Sequence, residues 1–298
     1  MTVLSSSASP PGNRIGRSLR RLLPRRWRGV AVVPVVRIAG VIGQVAPLRA
    51  GVTLAGLAGQ LDKAFKTSGA RAVALVVNSP GGSPVQSHLI YGRIRQLAAE
   101  KRLPVIAFVE DVGASGGYMV ACAADEIVAD ESSIVGSIGV VGAGFGFTEA
   151  IRKLGIERRV HTAGENKLML DPFQPEKPED VARLKAIQEQ IHSNFIGLVK
   201  ASRGARLTGP EKALFSGEFW LAPTALGYGL VDRLGDLRSV LRERFGEDVL
   251  TPVVGAPRGL IGRLLPSTQA MEPAGRSGLA DDVMATIEAR ALWARFGL

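Results

Sequence analysis

The chain has 298 residues, 46% of them hydrophobic and only 5% aromatic, which is typical of a globular protein with an aliphatic core. Its formal net charge of +10 is concentrated in residues 1–28, which hold seven arginines and no acidic residue, so the rest carries only +3. This balance argues against a nucleic-acid-binding body. The single cysteine, Cys122, excludes an intrachain disulfide and a four-cysteine zinc site.

Residues 1–28 form a basic arm in which apolar residues recur at helical spacing. Two interpretations stay open: a solvated basic tail, or an amphipathic helix whose residues 14–28 contact an anionic membrane. The chain has no uninterrupted apolar run of about 18–20 residues, the length that a spanning helix needs. No small-residue cleavage site closes the apolar run after Arg28, so no clear signal peptide is predicted either. These features predict a cytoplasmic protein, with peripheral contact at the inner face of the membrane as an option.

From residue 30 onward, strand and helix signals alternate, which predicts an α/β fold of repeated strand–turn–helix units. Short continuous apolar runs predict strands buried on both faces. Residues Glu110–Ala114 are predicted as a loop. The predicted strands are Val30–Ile38, Arg71–Val77, Pro104–Val109, Ile127–Ala129 and Val135–Val141, and the predicted helices cover 54–67, 84–99, 115–124 and 179–202.

The C-terminal third is predicted to contain a long helix, a linker and a final helix. The helix over 179–202 has an apolar stripe suited to packing, and turns with short strands follow at 216–236. Frequent Pro and Gly predict a linker over 252–278, before an amphipathic helix over 279–296 that docks on the body or on a neighbouring subunit. The predicted organisation is therefore an arm (1–28), one α/β domain (29–245), and a linker with a C-terminal helix (246–298).

Two glycine-rich turns follow two of the buried strands. The first is N-S-P-G-G-S at 78–83 and the second is G-A-S-G-G-Y at 113–118. Ligands of α/β sheets bind just past the carboxyl ends of the strands, so the two turns are expected to form one site.

Acyl transfer to a serine needs an exposed hydroxyl, a base and N–H donors for the oxyanion. Ser115 lies between small residues, and the N–H of Gly116 would point at a developing charge if Ser115 opens a helix. The first turn can supply a second donor, from Gly81 or Gly82.

These turns do not identify the general base that would activate Ser115. Gly113-x-Ser115-x-Gly117 matches the nucleophile elbow of enzymes with a Ser–His–acid triad. The downstream histidines fit that pattern poorly: His161 follows too closely, and His192 falls on the polar side of the long helix.

The motifs resemble the signal peptide peptidase A family of serine peptidases, which shares the fold of Clp protease and crotonase. The resemblance covers about residues 30–240. It rests on the first turn, on D-V-G-A-S-G-G-Y-M-V-A-C-A-A-D (111–125), on I-V-G-S-I-G-V (134–140) and on G-L-V-D-R-L-G (229–235).

The resemblance implies a Ser/Lys dyad that needs no metal or organic cofactor. It assigns Ser115 as nucleophile, and Lys167 of G-E-N-K, 52 residues further on, as general base. It assigns Ser137 as the serine that orients this lysine. A lysine base must be neutral, and burial favours its neutral form; Leu168–Leu170 are expected to supply an apolar wall.

The resemblance also implies peptide substrates with small or apolar side chains, including remnant signal peptides and membrane-derived segments. It further implies a ring- or dome-shaped homo-oligomer in which serine and lysine come from neighbouring subunits. Two other functions stay open: an acyl-CoA hydratase or isomerase of the crotonase type, and a non-catalytic scaffold at a membrane surface.

Overall fold

The structure is a computed structural model that describes residues 29–46, 49–255, 287 and 290–298. The predicted basic arm (1–28), its membrane contact and most of the predicted C-terminal helix lie outside the described residues. Among the helices that are described, none is both long enough and apolar enough to cross a lipid bilayer.

A mainly parallel sheet forms the centre of the described chain, and it confirms the predicted α/β class. Its strands are β1 (Val35–Ala39), β4 (Val73–Ser79), β5 (Val105–Ala114), β6 (Glu126–Ala129), β7 (Ile134–Gly136), β8 (Phe219–Leu221) and β9 (Arg233–Leu234); β2 (Gln44–Ala46) and β3 (Arg49–Ala50) pair separately. The order is β1-β4-β5-β6-β9, with β7 beside the second half of β5 and β8 antiparallel to β7.

Helices pack on both faces of this sheet. In chain order, the helices are α1 (Leu54–Phe65), α2 (Pro84–Lys101), α3 (Gly116–Ala121), α4 (Thr148–Lys153), α5 (Pro178–Arg203), α6 (Glu211–Leu214), α7 (Ala222–Gly227) and α8 (Leu237–Phe245), and of these α4 has no buried residue. Strand β4 shows why both faces are covered: Leu75 and Val77 belong to the apolar cluster with α1, α2 and α3, whereas Ala74 and Val76 face the cluster that includes α8. A continuous apolar run is thus buried throughout, as a parallel strand requires.

The predicted loop Glu110–Ala114 is wrong, because this segment is the second half of β5. Its last three residues pair with β7 after the first half of the strand has paired with β6. The polar residues that suggested a loop have partners across the strands: Asn78 Nδ2 donates to Asp111 at 2.6 Å, and Val112 N donates to Asn78 Oδ1 at 3.3 Å. The extra strand length carries the chain directly to Ser115.

Two other features differ from the expected pattern. Residues 250–254 run along β1, with Val33 N donating to Leu250 O at 2.8 Å and Val254 N donating to Val35 O at 2.8 Å. The sheet edge therefore extends past the predicted domain boundary at 245. In α5 only the C-terminal half of the apolar stripe is buried: Phe195 is 3% exposed, but Ile187 is 48% exposed.

A buried ion pair joins the end of α5 to the G-L-V-D segment. Arg203, only 1% exposed, donates to both carboxylate oxygens of Asp232 at 2.8 and 2.9 Å and to Gly229 O at 2.9 Å. Asp232 also accepts the Ile127 N–H at 2.7 Å. Burial alone would raise the pKa of Asp232, but the hydrogen bonds from Arg203 and Ile127 and the nearby positive charge outweigh it and hold the pKa below its usual value.

Replacing Arg203 by methionine should lower the free energy of unfolding by about 3 kcal/mol, because the largely buried carboxylate of Asp232 loses both guanidinium hydrogen bonds and keeps only the Ile127 N–H and the longer contact from Arg206. Arg206 is a matched control, because it donates to the same carboxylate at 3.3 Å but is 42% exposed. Loss of its ion pair in Arg206→Ala should lower the free energy of unfolding by about 1 kcal/mol or less. Urea unfolding at neutral pH measures both. Because the folded-state pKa of Asp232 is lowered, the wild-type advantage is present above a pH of about 4 and is lost as the pH falls through the folded-state pKa. Equal losses in the two variants would contradict this account.

Candidate active site

Ser115 lies at the turn between β5 and α3, in a backbone conformation that few residues other than glycine adopt. Its φ is 52° and its ψ is −122°, and it is the residue that precedes the first turn of α3. Such a conformation costs about 1–3 kcal/mol and persists only where the surroundings impose it. Here the Ser115 N–H donates to Gly136 O at 2.8 Å. The half-buried side chain is thus presented at a strained strand-to-helix turn, the geometry of a nucleophile elbow.

The turn after β4 packs directly against Ser115. A Cβ added to Gly81 would lie 2.7 Å from Ser115 Cβ and 2.8 Å from Gly116 N, and one added to Gly82 would overlap the carbonyl oxygen of Ile42. Both glycines also have positive φ angles, 101° and 140°. A side chain at Gly81 would therefore push the two turns apart, and one at Gly82 would displace Ile42, so the two predicted glycine-rich turns lie in direct contact only because these residues are glycines.

Two backbone N–H groups converge beside Ser115. The Gly81 N–H is engaged by Ser79 Oγ at 3.2 Å. Within the described chain, the N–H groups of Gly82 and Gly116 have no hydrogen-bond acceptor. They are close neighbours, since a Cβ built on Gly116 would lie 3.4 Å from Gly82 N. A pair of adjacent, unused N–H donors at a helix N-terminus is an arrangement that can bind an oxyanion.

Ser137 shares a cavity with Ser115. It follows β7, is 4% exposed, has a φ of 54°, and its N–H donates to Glu218 O at 2.6 Å. The cavity has a volume of about 290 Å³. Its lining is Ser115, Ser137, Gly139, Val140, Val141, His192, Ser216, Gly217 and Arg295.

Lys167 is not among the residues that line this cavity in the single chain. It lies in a turn that begins near Gly164 and is exposed to solvent, while the expected apolar wall Leu168–Leu170 is half-buried. A single chain thus brings together Ser115, Ser137 and the glycine N–H donors, and leaves Lys167 on its surface.

Lys167 belongs to a protruding segment, defined here as residues 141–177, whose apolar side chains are unusually exposed. The segment has its own small cluster: Phe147 packs on Phe173 with ring centroids 5.6 Å apart, and Arg158 forms an ion pair with Asp171. Six large apolar residues remain at least about one-third exposed, namely Val141, Phe145, Phe147, Leu154, Ile156 and Val160. So many exposed large apolar side chains in one segment indicate a surface that binds another protein.

His192 and Arg295 also line the cavity, and neither was predicted from the sequence as a residue of this site. His192 Nε2 lies 3.0 Å from Ile138 O, and since a carbonyl oxygen only accepts, Nε2 carries the proton. Its spacing along α5 placed His192 on a polar helix face, and that polar face proves to border the cavity. His161 is exposed and does not line it. No short motif indicates Arg295, which reaches the site from 180 residues beyond Ser115.

An apolar groove of about 680 Å³ lies on the other side of α3, between α2 and α5. Met119, one turn after Ser115, lines it together with Val85, Leu89 and Leu198. Cys122 is buried nearby, and burial raises the pKa of its thiol to about 12, which makes it an inert structural side chain. The described residues include no group of three or more His, Cys, Asp or Glu side chains arranged to hold a metal ion.

A strained serine, paired N–H donors and an α/β sheet are the features of a serine-type peptidase. The model of peptidase family S49 matches residues 97–246, a span that starts in α2 and includes Ser115, Ser137 and Lys167. The chain therefore belongs to peptidase family S49, and the predicted serine-peptidase family is confirmed.

Two relatives that are named proteases agree with this assignment. The chain is 33% identical over 168 residues to the chloroplastic serine protease SPPA of Arabidopsis thaliana, covering 56% of this chain and 24% of that protein. It is 34% identical over 188 residues to protease 4 of Haemophilus influenzae, covering 61% and 29%. A Brucella abortus protein named Na(+)/H(+) antiporter NhaA is 54% identical over 288 residues, covering 94% of this chain and 39% of that protein.

The chain thus spans well under half the length of these three relatives, and most of the protein with the antiporter name lies outside the match. Among solved structures, a serine-to-alanine mutant of the 1510-N membrane-bound stomatin-specific protease matches 75% of this chain and 93% of its own at 16% identity, with a TM-score of 0.45.

Proposed function

We propose that this chain is a serine endopeptidase that cleaves peptides through an acyl-enzyme on Ser115. The observation that carries the proposal is the strained Ser115 turn, with the free N–H groups of Gly82 and Gly116 beside it. Membership of a peptidase family favours this function over an acyl-CoA hydratase on a related fold.

The chemistry requires a proton acceptor at Ser115. In the proposed mechanism a neutral Lys167 amine takes the Ser115 Oγ proton as Oγ attacks the peptide carbonyl carbon. The carbonyl oxygen becomes an oxyanion held by the two N–H groups, and the leaving amine then takes the proton from Lys167. Water repeats the sequence to release the acyl group, with Lys167 again as base.

Lys167 would come from a neighbouring subunit. In a single chain Lys167 is exposed and does not line the Ser115 cavity. It lies on the protruding segment, whose exposed apolar side chains favour contact with another protein surface. Docking of this segment on the next subunit would bury Lys167, and burial favours the neutral amine that the mechanism requires. A head-to-tail interface of this kind closes into a ring. Ser137, buried in the same cavity as Ser115, would orient the incoming amine with its hydroxyl.

His192 is a weaker candidate for the base. Its Nε2 is engaged with a backbone carbonyl, and no carboxylate among the cavity residues is available to orient and stabilise an imidazolium, as a triad requires.

The proposed substrates are extended peptides with small or apolar side chains, such as remnant signal peptides and membrane-derived segments. Small residues flank Ser115, so a substrate backbone can approach closely. The apolar groove beside Met119 offers a surface for large apolar side chains.

A fluorophosphonate probe tests the nucleophile directly, because it reacts with an activated serine hydroxyl. Intact-mass analysis of the full chain should show one probe per subunit, and peptide mapping should place it on Ser115. Ser115→Ala should abolish labelling. Ser216→Ala is the matched control, since Ser216 lines the same cavity but donates its hydroxyl to Ala213 O at 2.8 Å. Labelling that persists in Ser115→Ala would refute the proposal.

A further inference from the structure

The Ser115 cavity has an uneven charge. Of the described side chains that line it, Arg295 alone carries a permanent charge, and none is a carboxylate. His192, the other titratable group in the lining, already directs one ring nitrogen at Ile138 O. A substrate in this cavity therefore meets a positive charge with no negative group in the lining to neutralise it.

The backbone at Arg295 is positioned by the packing of the next residue, Phe296. Phe296 is 7% exposed and packs with Val112 and Ala114, the end of the strand that carries Ser115. Its ring also meets the Phe219 ring edge-on, with centroids 4.9 Å apart. Because Phe219 pairs with Gly136 and Gly136 O accepts the Ser115 N–H, Phe296 fixes the backbone beside Arg295 to the two strands that position Ser115.

The guanidinium itself remains available. Arg295 is exposed, its Cζ lies 5.9 Å from the Phe296 ring centroid, and no carboxylate of the described chain forms an ion pair with it. Its planar fork of N–H donors matches the two oxygens of a carboxylate better than any other side chain does.

We propose that Arg295 binds a carboxylate of the peptide substrate next to Ser115, and so selects acidic peptides at one position. This inference rests on the proposed peptidase function and adds an acidic position to substrates that are otherwise small or apolar. The carboxylate can come from a Glu or Asp side chain near the scissile bond or from the free C-terminus of a short peptide. The chemistry of recognition is the same in both cases.

The test measures how the full chain cleaves pairs of peptides that differ only in one carboxylate. A peptide that wild-type protein cleaves is varied by single Gln→Glu changes at each position around the scissile bond, and is also made with a free or an amidated C-terminus. At one position, or at the C-terminus, the acidic peptide should be cleaved with a kcat/KM about 10-fold or more higher than that of its neutral counterpart, mainly because its KM is lower. Added salt should reduce this difference.

Three variants separate a binding role from a structural one. In Arg295→Gln the ratio of acidic to neutral kcat/KM should fall to about 1, and in Arg295→Lys it should lie between this and the wild-type ratio. Arg290→Gln is the control, because Arg290 lies on the same C-terminal segment, is exposed and does not line the cavity. It should keep the wild-type ratio.

The outcomes distinguish this inference from the proposed function. If the protein cleaves peptides and is labelled at Ser115 but shows no acidic preference, the role of Arg295 is refuted and the peptidase function stands. The same holds if Arg295→Gln leaves an acidic preference intact. A wild-type protein with neither cleavage nor Ser115 labelling overturns the peptidase function itself. A preference that follows the free C-terminus, and not any Glu position, identifies the terminal carboxylate as the bound group.

Discussion

Replacing Lys167 by alanine or by arginine is expected to lower kcat by on the order of 10³-fold, the scale of losing an essential general base. Alanine removes the proton acceptor. Arginine keeps the positive charge, but a guanidinium does not give up its proton, so a purely electrostatic role would survive this change and a base role would not. Steady-state cleavage of a fluorogenic peptide measures both variants.

Histidine variants are the matched comparison for the lysine variants. His192→Ala removes the imidazole that lines the Ser115 cavity, and His161→Ala removes an exposed one. Both should retain most of the wild-type kcat. Loss of activity in a histidine variant, together with survival of Lys167→Ala, would replace the dyad by a histidine-based mechanism.

The local parts of the site could be predicted from the sequence because they are encoded by short motifs. Two glycine-rich turns after buried strands predicted that residues 81–82 and 115–116 would meet, and in the structure Gly81 packs against Ser115. Ser137 was assigned only through the family resemblance of the I-V-G-S-I-G-V motif, and in the structure it lines the cavity with Ser115. The meeting of the two turns depends on strands of one parallel sheet ending at the same edge.

Contacts between distant segments could not be read in the same way. Arg295 and His192 reach the cavity through packing of α5 and of the C-terminal segment, and no local pattern states where those segments dock. Glu110 and Asp111 suggested a loop because polar residues are rare in buried strands. They are accommodated by Arg37, which pairs with Glu110 at 2.6 Å, and by Asn78, which pairs with Asp111. Cross-strand partners of this kind become visible only when the strand order is known.

The apolar stripe of α5 shows a further limit of the sequence pattern. Helical spacing indicated correctly that one face of this helix is apolar, and Phe195 and Val199 are buried on the body. In the N-terminal half of the stripe, Val181 and Leu184 are only half-buried and Ile187 is 48% exposed in the single chain. A pattern predicts that a surface will be covered, but the covering partner can belong to another subunit.

The proposal that two subunits share one dyad leads to a second prediction with a large expected effect, on the activity of mixed oligomers. Ser115→Ala and Lys167→Ala proteins should each be inactive alone. If each site takes Ser115 from one chain and Lys167 from the next, random mixing in a head-to-tail ring restores about a quarter of the sites. If both residues act within one chain, no mixture restores any site.

Mixing these two inactive variants is therefore the most direct test of a Ser115–Lys167 dyad completed by two subunits. Equal amounts would be dissociated, reassembled together and compared with each variant reassembled alone, with differently tagged chains and pull-down to verify that mixed oligomers form. Fluorogenic peptide cleavage should return to about a quarter of the wild-type rate. Verified mixed oligomers that stay as inactive as either parent would contradict the shared site.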